Sequence, residues 1–122
     1  MKTVAIIGAH TDRSKYSNKA VRAFQKAGYS VFQVNPAFET VEGFPCFKTI
    51  GDVPETPQIT SVYLGPARLL PILPEIARKG CGELWLNPGT TSPEVLAEVE
   101  KLGLKSRQLC SIIEVGSSPG SL

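Results

Sequence analysis

The sequence predicts one α/β domain, a three-layer α/β/α sandwich around a mostly parallel central sheet of about five strands. The short apolar run at 4–7 is rich in β-branched residues and lacks polar alternation, which is typical of a strand covered on both faces, and further strand segments such as 59–64 follow. Segments of helical periodicity lie between such runs. Alternation of strand and helix indicates parallel strands joined by right-handed crossovers.

Each strand is bounded by glycine, proline or asparagine, residues that end strands and begin turns. The strands are expected at 4–7, 29–34, 59–64, 83–86 and 106–113. The segment 37–57 contains three prolines and two glycines, so it is expected to be irregular, with one short strand near Cys46-Phe47 and a turn at 49–52. The segment 116–122 is expected to be a flexible C-terminal tail.

Three helices are expected between the strands. The first begins near Ser17, which with Asn18 is a candidate N-cap, since a short polar side chain can accept a free backbone N–H there. The second covers about 67–79 and contains Pro71 and Pro74, which predict a late start or a bend. The third has Ser92 as its N-cap, runs to about residue 102 and ends at Gly103.

Composition and charge exclude several classes of function. The net charge is +2 in 122 residues, and the lysines and arginines are scattered, unlike the basic face of a nucleic-acid-binding protein. No run approaches the roughly 20 apolar residues of a membrane span, and no signal sequence is recognised. Three cysteines without a CxxC pair indicate free thiols in a reducing compartment, so a cytoplasmic location is expected.

The strand ends form the candidate binding site. In an open parallel sheet, ligands lie beyond the carboxyl ends of the strands, and a helix N-terminus there offers free N–H groups to a phosphate. Four strand ends carry glycine or proline, where a bulky side chain would obstruct a ligand: Gly8, Asn35-Pro36, Gly65-Pro66 and Asn87-Pro88-Gly89. Their common edge predicts a trough for a phosphate-bearing molecule. A valine at position 8 is expected to block this trough and to leave the fold intact.

The first loop does not match the dinucleotide fingerprint GxGxxG. Gly8 is followed by Ala9-His10-Thr11-Asp12-Arg13, so the second and third glycines are missing. The acidic residue that holds a ribose hydroxyl should close the second strand, and Asn35 occupies that position. NAD binding is therefore disfavoured.

The pattern resembles the small stand-alone CoA-binding-domain proteins, relatives of the cofactor-binding domain of the succinyl-CoA synthetase α subunit. The motifs that carry the resemblance are Ile-Ile-Gly-Ala with its Ser/Lys-rich turn, Gly-Tyr before the second strand, Val34-Asn35-Pro36 and Asn87-Pro88-Gly89. The resemblance extends from Val4 to about Glu114. It implies a Rossmann-like CoA-binding domain over residues 1–115 that binds coenzyme A or an acyl-CoA without catalysis.

The resemblance also implies which residues meet the cofactor. The first loop would hold the phosphate-bearing end, and the later strand ends would flank the nucleotide and the pantetheine chain. The implied cofactor-binding residues are Gly8, His10, Thr11, Arg13, Lys15, Ser17, Asn35, Pro36, Leu64, Gly65, Pro66, Pro88 and Gly89. Relatives often carry a lysine directly after Val-Asn-Pro, whereas this chain has Ala37; Arg13 or Lys15 could supply the charge instead.

Two alternatives to a binding module remain at this point. One is a small enzyme acting on an acyl-CoA or NAD(P)-type substrate through His10 or a cysteine. His10 has no visible catalytic partner or set of metal ligands, and a side chain that lines the pocket is the favoured interpretation. Buried apolar packing is favoured for Cys46, Cys81 and Cys110. The other alternative is a degenerate domain that acts through a protein partner, with a homodimer as one form.

Overall fold

The computed structural model describes residues 2–122, and the sheet lies at its centre. The strands are β1 (Thr3–Ile7), β2 (Ser30–Val34), β3 (Thr40–Val41), β4 (Phe44–Phe47), β5 (Ile59–Val62), β6 (Glu83–Leu86) and β7 (Ser106–Gln108). Their order across the sheet is β3-β4-β2-β1-β5-β6-β7. All neighbours are parallel except β3 and β4, which form an antiparallel hairpin. The predicted mostly parallel sheet is confirmed.

Helices cover both faces of this sheet. They are α1 (Tyr16–Lys26), α2 (Pro66–Leu69), α3 (Leu73–Lys79), α4 (Pro93–Lys101) and α5 (Ser111–Glu114), with 3-10 turns at Ile50–Asp52, Leu70–Ile72 and Pro119–Ser121. The interruption expected from Pro71 and Pro74 is present, because a 3-10 turn separates α2 from α3. Ser92 caps α4 as expected, since its side chain accepts a hydrogen bond from the amide of Val95.

The residues of β1 divide the core into two layers. Ala5 and Ile7 pack with buried residues of α2, α3 and α4 on one face of the sheet. Val4 and Ile6 pack with α1 and α5 on the other face. Because side chains alternate across a strand, an uninterrupted apolar run supplies both layers. The three-layer α/β/α sandwich predicted from that run is confirmed.

The number of strands differs from the prediction. The structure has seven strands in residues 2–122, not about five, because the segment expected to be irregular contains a hairpin of β3 and β4. Its turn residues Glu42 and Gly43 have φ values of 52° and 78°. Positive φ at both central residues matches the tight turns that join two antiparallel strands. The short strand expected near Cys46-Phe47 is present as β4, whereas the two residues of β3 lack the pattern that identifies a strand in the sequence.

The C-terminal region also differs from the prediction. The strand expected at 106–113 ends at Gln108, and α5 follows from Ser111. The residues of β7 are exposed, whereas Ser111 and Ile112 are buried against α1. The expected flexible tail includes a 3-10 turn, and the Nζ atom of Lys19 donates a hydrogen bond of 3.0 Å to the carbonyl of Pro119.

Candidate functional site

A cavity of about 280 Å³ opens at the carboxyl ends of β1, β2, β4 and β5. This is the edge that the sequence predicts for a ligand, because parallel strands end together there. The cavity lies on the face covered by α2 and α3. Its apolar walls are Ile7, Val34, Ile50, Leu64 and Ile72. The first three are buried core residues, so the walls belong to the hydrophobic core itself.

The polar groups of the cavity come from different segments of the chain. They are Asn35, Lys48, Thr49, Arg68 and Glu75. Lys48, Thr49 and Arg68 are exposed. Glu75 of α3 is fixed by its Oε1 atom, which accepts a hydrogen bond of 3.1 Å from the amide of Gly51. An apolar cavity with a few polar groups is typical of a site for a small molecule.

Asn35 holds the first loop against the end of β2. Its Nδ2 atom donates a hydrogen bond of 2.8 Å to the carbonyl of Ala9, and its Oδ1 atom accepts one of 2.9 Å from the amide of Ala37. The second bond closes an Asx turn. Asn35 and the exposed Pro36 therefore shape the cavity mainly through the backbone that they position.

Gly8 lies where the first loop leaves β1 and also lines the cavity. Its φ of +91° is a conformation that side-chain-bearing residues rarely adopt. A Cβ atom at this position would lie 3.0 Å from the carbonyl oxygen of Tyr63 and 3.1 Å from a methyl carbon of Leu64. The expectation that valine at position 8 leaves the fold intact is therefore wrong, because both the backbone and its neighbours resist a side chain there.

The first loop is held by its own hydrogen bonds. The Nδ1 atom of His10 accepts a hydrogen bond of 2.9 Å from the amide of Asp12, and the His10 ring contacts Phe38 edge to face. The Oδ1 atom of Asp12 accepts bonds from both the amide and the hydroxyl of Ser14. These bonds from Ser14 hold the pKa of the Asp12 carboxyl below its usual range. His10 does not line the cavity.

The cation Arg13 is engaged by the β3–β4 turn. Its Nε atom lies 3.6 Å from the Oε2 atom of Glu42, which also accepts a hydrogen bond of 3.1 Å from Asn18. The other Asn18 contacts are with the carbonyl of His10 and with Arg22. Asn18 thus joins α1 to the loop from within the helix, and the structure gives it no N-cap role.

The remaining first-loop residues lie outside the cavity. Thr11 and Lys15 are exposed, and Lys15 is the N-cap residue of α1 without a side-chain capping bond. Ser17, expected as an N-cap, is instead a buried residue of the first helical turn. Because α1 begins at Tyr16, Ser17 lies inside the helix rather than at its N-cap, and its side chain is buried.

The end of β5 contributes Leu64 to the cavity wall. Gly65 follows as the N-cap residue of α2, and its carbonyl oxygen accepts bonds from the amides of Arg68 and Leu69. Pro66 is the first residue of α2, where the missing N–H is not needed. Gly65 and Pro66 directly follow the cavity residue Leu64 in the sequence, but they do not line the cavity.

The loop after β6 is held by Asn87. Its Nδ2 atom donates to the hydroxyl of Ser61 at 3.0 Å, and its Oδ1 atom accepts from the amide of Ser111 at 2.8 Å. The hydroxyl groups of Ser61 and Ser111 are themselves 2.8 Å apart. Pro88 and Gly89 are exposed and lie outside the cavity. The tripeptide therefore combines a buried structural asparagine with an exposed turn.

The residues that sequence reasoning missed come mainly from two places. Lys48, Thr49 and Ile50 follow β4, and Arg68, Ile72 and Glu75 belong to the helical segment after β5. The first group lies at the cavity because β4 pairs with β2. The short run at Cys46-Phe47 indicates a strand in the sequence but does not show which strand it pairs with. No local pattern marks the second group, because its residues belong to three successive short elements, α2, a 3-10 turn and α3.

Residues 2–122 contain no group of three or more histidine, cysteine or acidic side chains placed to hold a metal ion. The three cysteines are free thiols, and burial raises the pKa of Cys46 and of Cys81. Within the same residues, no helix combines the length and the apolarity that crossing a membrane requires.

Comparison with protein families matches residues 2–116 to a family described as the CoA binding domain. The chain is 27% identical over 115 residues to acetate–CoA ligase [ADP-forming] I of Archaeoglobus fulgidus, covering 85% of this chain. It spans only 17% of the length of that ligase.

Two solved structures are similar over almost the whole chain. A conserved hypothetical protein from Pyrococcus furiosus has a TM-score of 0.86 and 26% identity, covering 93% of this chain and 99% of that one. A protein from Thermus thermophilus has a TM-score of 0.86 and 30% identity, covering 93% and 87% respectively. The Rossmann-like fold is thus shared with chains of similar length.

Proposed function

The chain belongs to the CoA-binding domain family, and we propose that it binds coenzyme A or an acyl-CoA without catalysing a reaction. One observation carries the proposal. The carboxyl edge of the sheet holds a cavity with core-like apolar walls and two exposed cations, Lys48 and Arg68, in a chain that the family model matches over residues 2–116. Apolar walls suit a base, and cations suit its phosphates.

The size of the cavity supports binding of one part of the cofactor. Its volume of about 280 Å³ is slightly below the usual range of ligand cavities, roughly 300–1,000 Å³. We assign it to the adenosine end, whose flat base suits apolar walls such as Ile50 and Ile72. The diphosphate and the pantetheine chain would then lie outside, along the strand ends.

The N-terminus of α1 supports a position for the diphosphate. Its N-cap residue Lys15 makes no side-chain capping bond, and the first turn contains no acidic residue. The first amides of a helix carry partial positive charge and are free to bind an anion. Gly8 joins this loop to the cavity, so one extended molecule can reach both.

The environment of the candidate nucleophiles favours a binding role over catalysis. The Nδ1 atom of His10 is engaged by a backbone amide and its ring by Phe38. Raised pKa values disfavour the reactive thiolate forms of Cys46 and Cys81. With three free thiols, we also infer a reducing, cytoplasmic setting.

The test is a thermal melt with increasing CoA, together with calorimetric titration. A ligand that binds only the folded state adds RT ln(1 + [L]/Kd), about 2.7 kcal/mol at one hundred times Kd, so the melting temperature is expected to rise by several degrees. Thr49→Trp should abolish the rise by filling the cavity, because Thr49 is exposed and lines it. Thr40→Trp on the exposed edge strand is the matched control and should retain the rise.

Absence of any rise at millimolar CoA, with a folded sample, would contradict the proposal. A stable assembly under the same conditions would instead favour a domain that acts through a protein partner. Turnover of an acyl-CoA that disappears in His10→Ala would favour the enzyme.

A further inference from the structure

Lys48 lies beside Asn35 although thirteen positions separate them in the sequence. The strands β2 and β4 are parallel neighbours in which Val34 pairs with Phe47, and the amide of Asn35 donates a hydrogen bond of 2.8 Å to the carbonyl of Phe47. Each of Asn35 and Lys48 is the first residue after its strand, so the two lie at the same edge. Lys48 therefore places a cation beside the turn after β2, where Ala37 occupies the position of the lysine often found in relatives.

Arg68 brings a second cation to the same cavity. It belongs to α2, which follows β5, whereas Lys48 follows β4, and β2 and β1 lie between these two strands in the sheet. Within residues 2–122, neither side chain forms one of the ion pairs or hydrogen bonds of the structure. By contrast, Arg13 is paired with Glu42 and Lys79 is bonded to the carbonyl of Val53. Lys48 and Arg68 are thus available to a ligand.

The charge balance of the cavity favours an anionic group. Two cations and one carboxylate, Glu75, line it, and one oxygen of Glu75 is already bonded to the amide of Gly51. The lining therefore carries one excess positive charge, which a neutral base and ribose would leave without a counterion. A ligand with a phosphate close to its base would supply that counterion.

We propose that Lys48 and Arg68 select the 3′-phosphate of coenzyme A. This inference rests on the proposed function, which places adenosine between the apolar walls of the cavity. CoA carries one phosphate on the ribose 3′ oxygen, next to the base, and its diphosphate on the 5′ oxygen. Cations that line the adenosine cavity itself are placed for the 3′ group, while the α1 N-terminus serves the 5′ diphosphate. The ligand class is therefore a 3′-phosphorylated adenosine derivative.

The test compares the binding of CoA and dephospho-CoA, which lacks only the 3′-phosphate, by calorimetry on the whole chain. An exposed ion pair contributes up to about fivefold in affinity, so the two cations together should favour CoA by about tenfold. Lys48→Met and Arg68→Met should each lower the affinity for CoA by about threefold, and the double variant should bind the two ligands nearly equally. In the same variants, the affinity for dephospho-CoA should change less than twofold. This result would distinguish recognition of the 3′-phosphate from a general contribution of the two cations to binding.

Arg78→Met is the control, since Arg78 is an exposed cation of α3 that does not line the cavity. It should leave the preference for CoA unchanged. Equal binding of CoA and dephospho-CoA by the unsubstituted chain would overturn this inference and leave the proposed function standing. Equal loss of both ligands in the Lys48 and Arg68 variants would also overturn it. Binding of neither ligand to the folded chain would reject the proposed function itself.

Discussion

The side-chain amide of Asn87 donates a hydrogen bond of 2.8 Å to the carbonyl oxygen of Val62. This contact joins the residue after β6 to the last residue of β5 inside the protein. The same side chain bonds Ser61 and the backbone of Ser111, so one buried asparagine holds two strand ends and the start of α5. Together with Asn35 at the end of β2, it fixes the edge on which the cavity lies.

Replacing Asn87 by alanine is expected to lower the free energy of unfolding by about 2–4 kcal/mol, because it leaves several buried polar groups without partners. Urea denaturation measures this change. Gln108→Ala on the exposed strand β7 is the control and should change the free energy by less than about 0.5 kcal/mol. Similar small losses in the two variants would show that Asn87 is not a structural link.

Replacing Gly8 by alanine is expected to destabilise the fold, since left-handed backbone costs other residues about 1–2 kcal/mol and the new Cβ would crowd Tyr63. Gly65→Ala provides a matched comparison at another strand end. Gly65 has a φ of −65°, and a Cβ there would meet open space within 4 Å. Thermal melts should separate the two variants by several degrees, and equal melting temperatures would contradict the assignment of strain to Gly8.

Tyr63 should make stability depend on pH in the alkaline range. Burial, and then the neighbouring Cys110 thiol, raises the pKa of its phenol above the ordinary value. The folded state therefore keeps a proton that the unfolded chain loses above about pH 10, so the stabilising contribution is present below that pH and is lost as the pH rises. Tyr63→Phe should flatten the decline of the free energy of unfolding with pH. Denaturation curves measured between pH 8 and 11 test this, because the pKa of an ordinary tyrosine phenol is about 10.

Near neutral pH, Tyr63→Phe should preserve or slightly raise stability. The Tyr63 hydroxyl is buried and has no hydrogen-bond partner within residues 2–122, and the nearby hydroxyls of Ser61 and Ser111 are engaged with each other. Removing an unpaired buried polar group costs little. Cys46 and Cys81 titrate alike in both proteins, so the difference between the two curves reports Tyr63. Parallel curves would contradict the prediction.

Glu42→Gln should strengthen the binding of CoA by about twofold, because it removes a carboxylate from Arg13 while an amide oxygen can still accept from Asn18. Titrations at low and high salt measure the effect, which should shrink as the ionic strength increases. Glu39→Gln removes an equal charge directly before β3, and within residues 2–122 Glu39 forms no ion pair with Arg13. An equal gain in CoA affinity in both variants would mean that the effect does not come from freeing Arg13 of its ion pair with Glu42.

The sequence predicted more of the fold than of the site. The uninterrupted apolar run at 4–7 identified β1 as a strand buried on both faces, and β5 and β6 were also predicted, with glycine, proline or asparagine marking where the strands stop. A short strand was expected near Cys46-Phe47 and is present as β4, but its hairpin partner β3 escaped prediction, because a strand of two residues carries too little pattern. The segment from Ser111 was predicted as strand because its apolar residues suit either a strand or a short helix.

The sequence by itself determined the parallel α/β architecture, the family and the edge at which a ligand is expected. Only the tertiary structure decided which cations are available there. Arg13, near the expected site, is paired with a carboxylate 29 positions away, whereas Lys48 is brought beside Asn35 by strand pairing. The physical reason is that the fate of a charged side chain depends on neighbours across the sheet, and those neighbours are set by the order and register of strands rather than by distance along the chain.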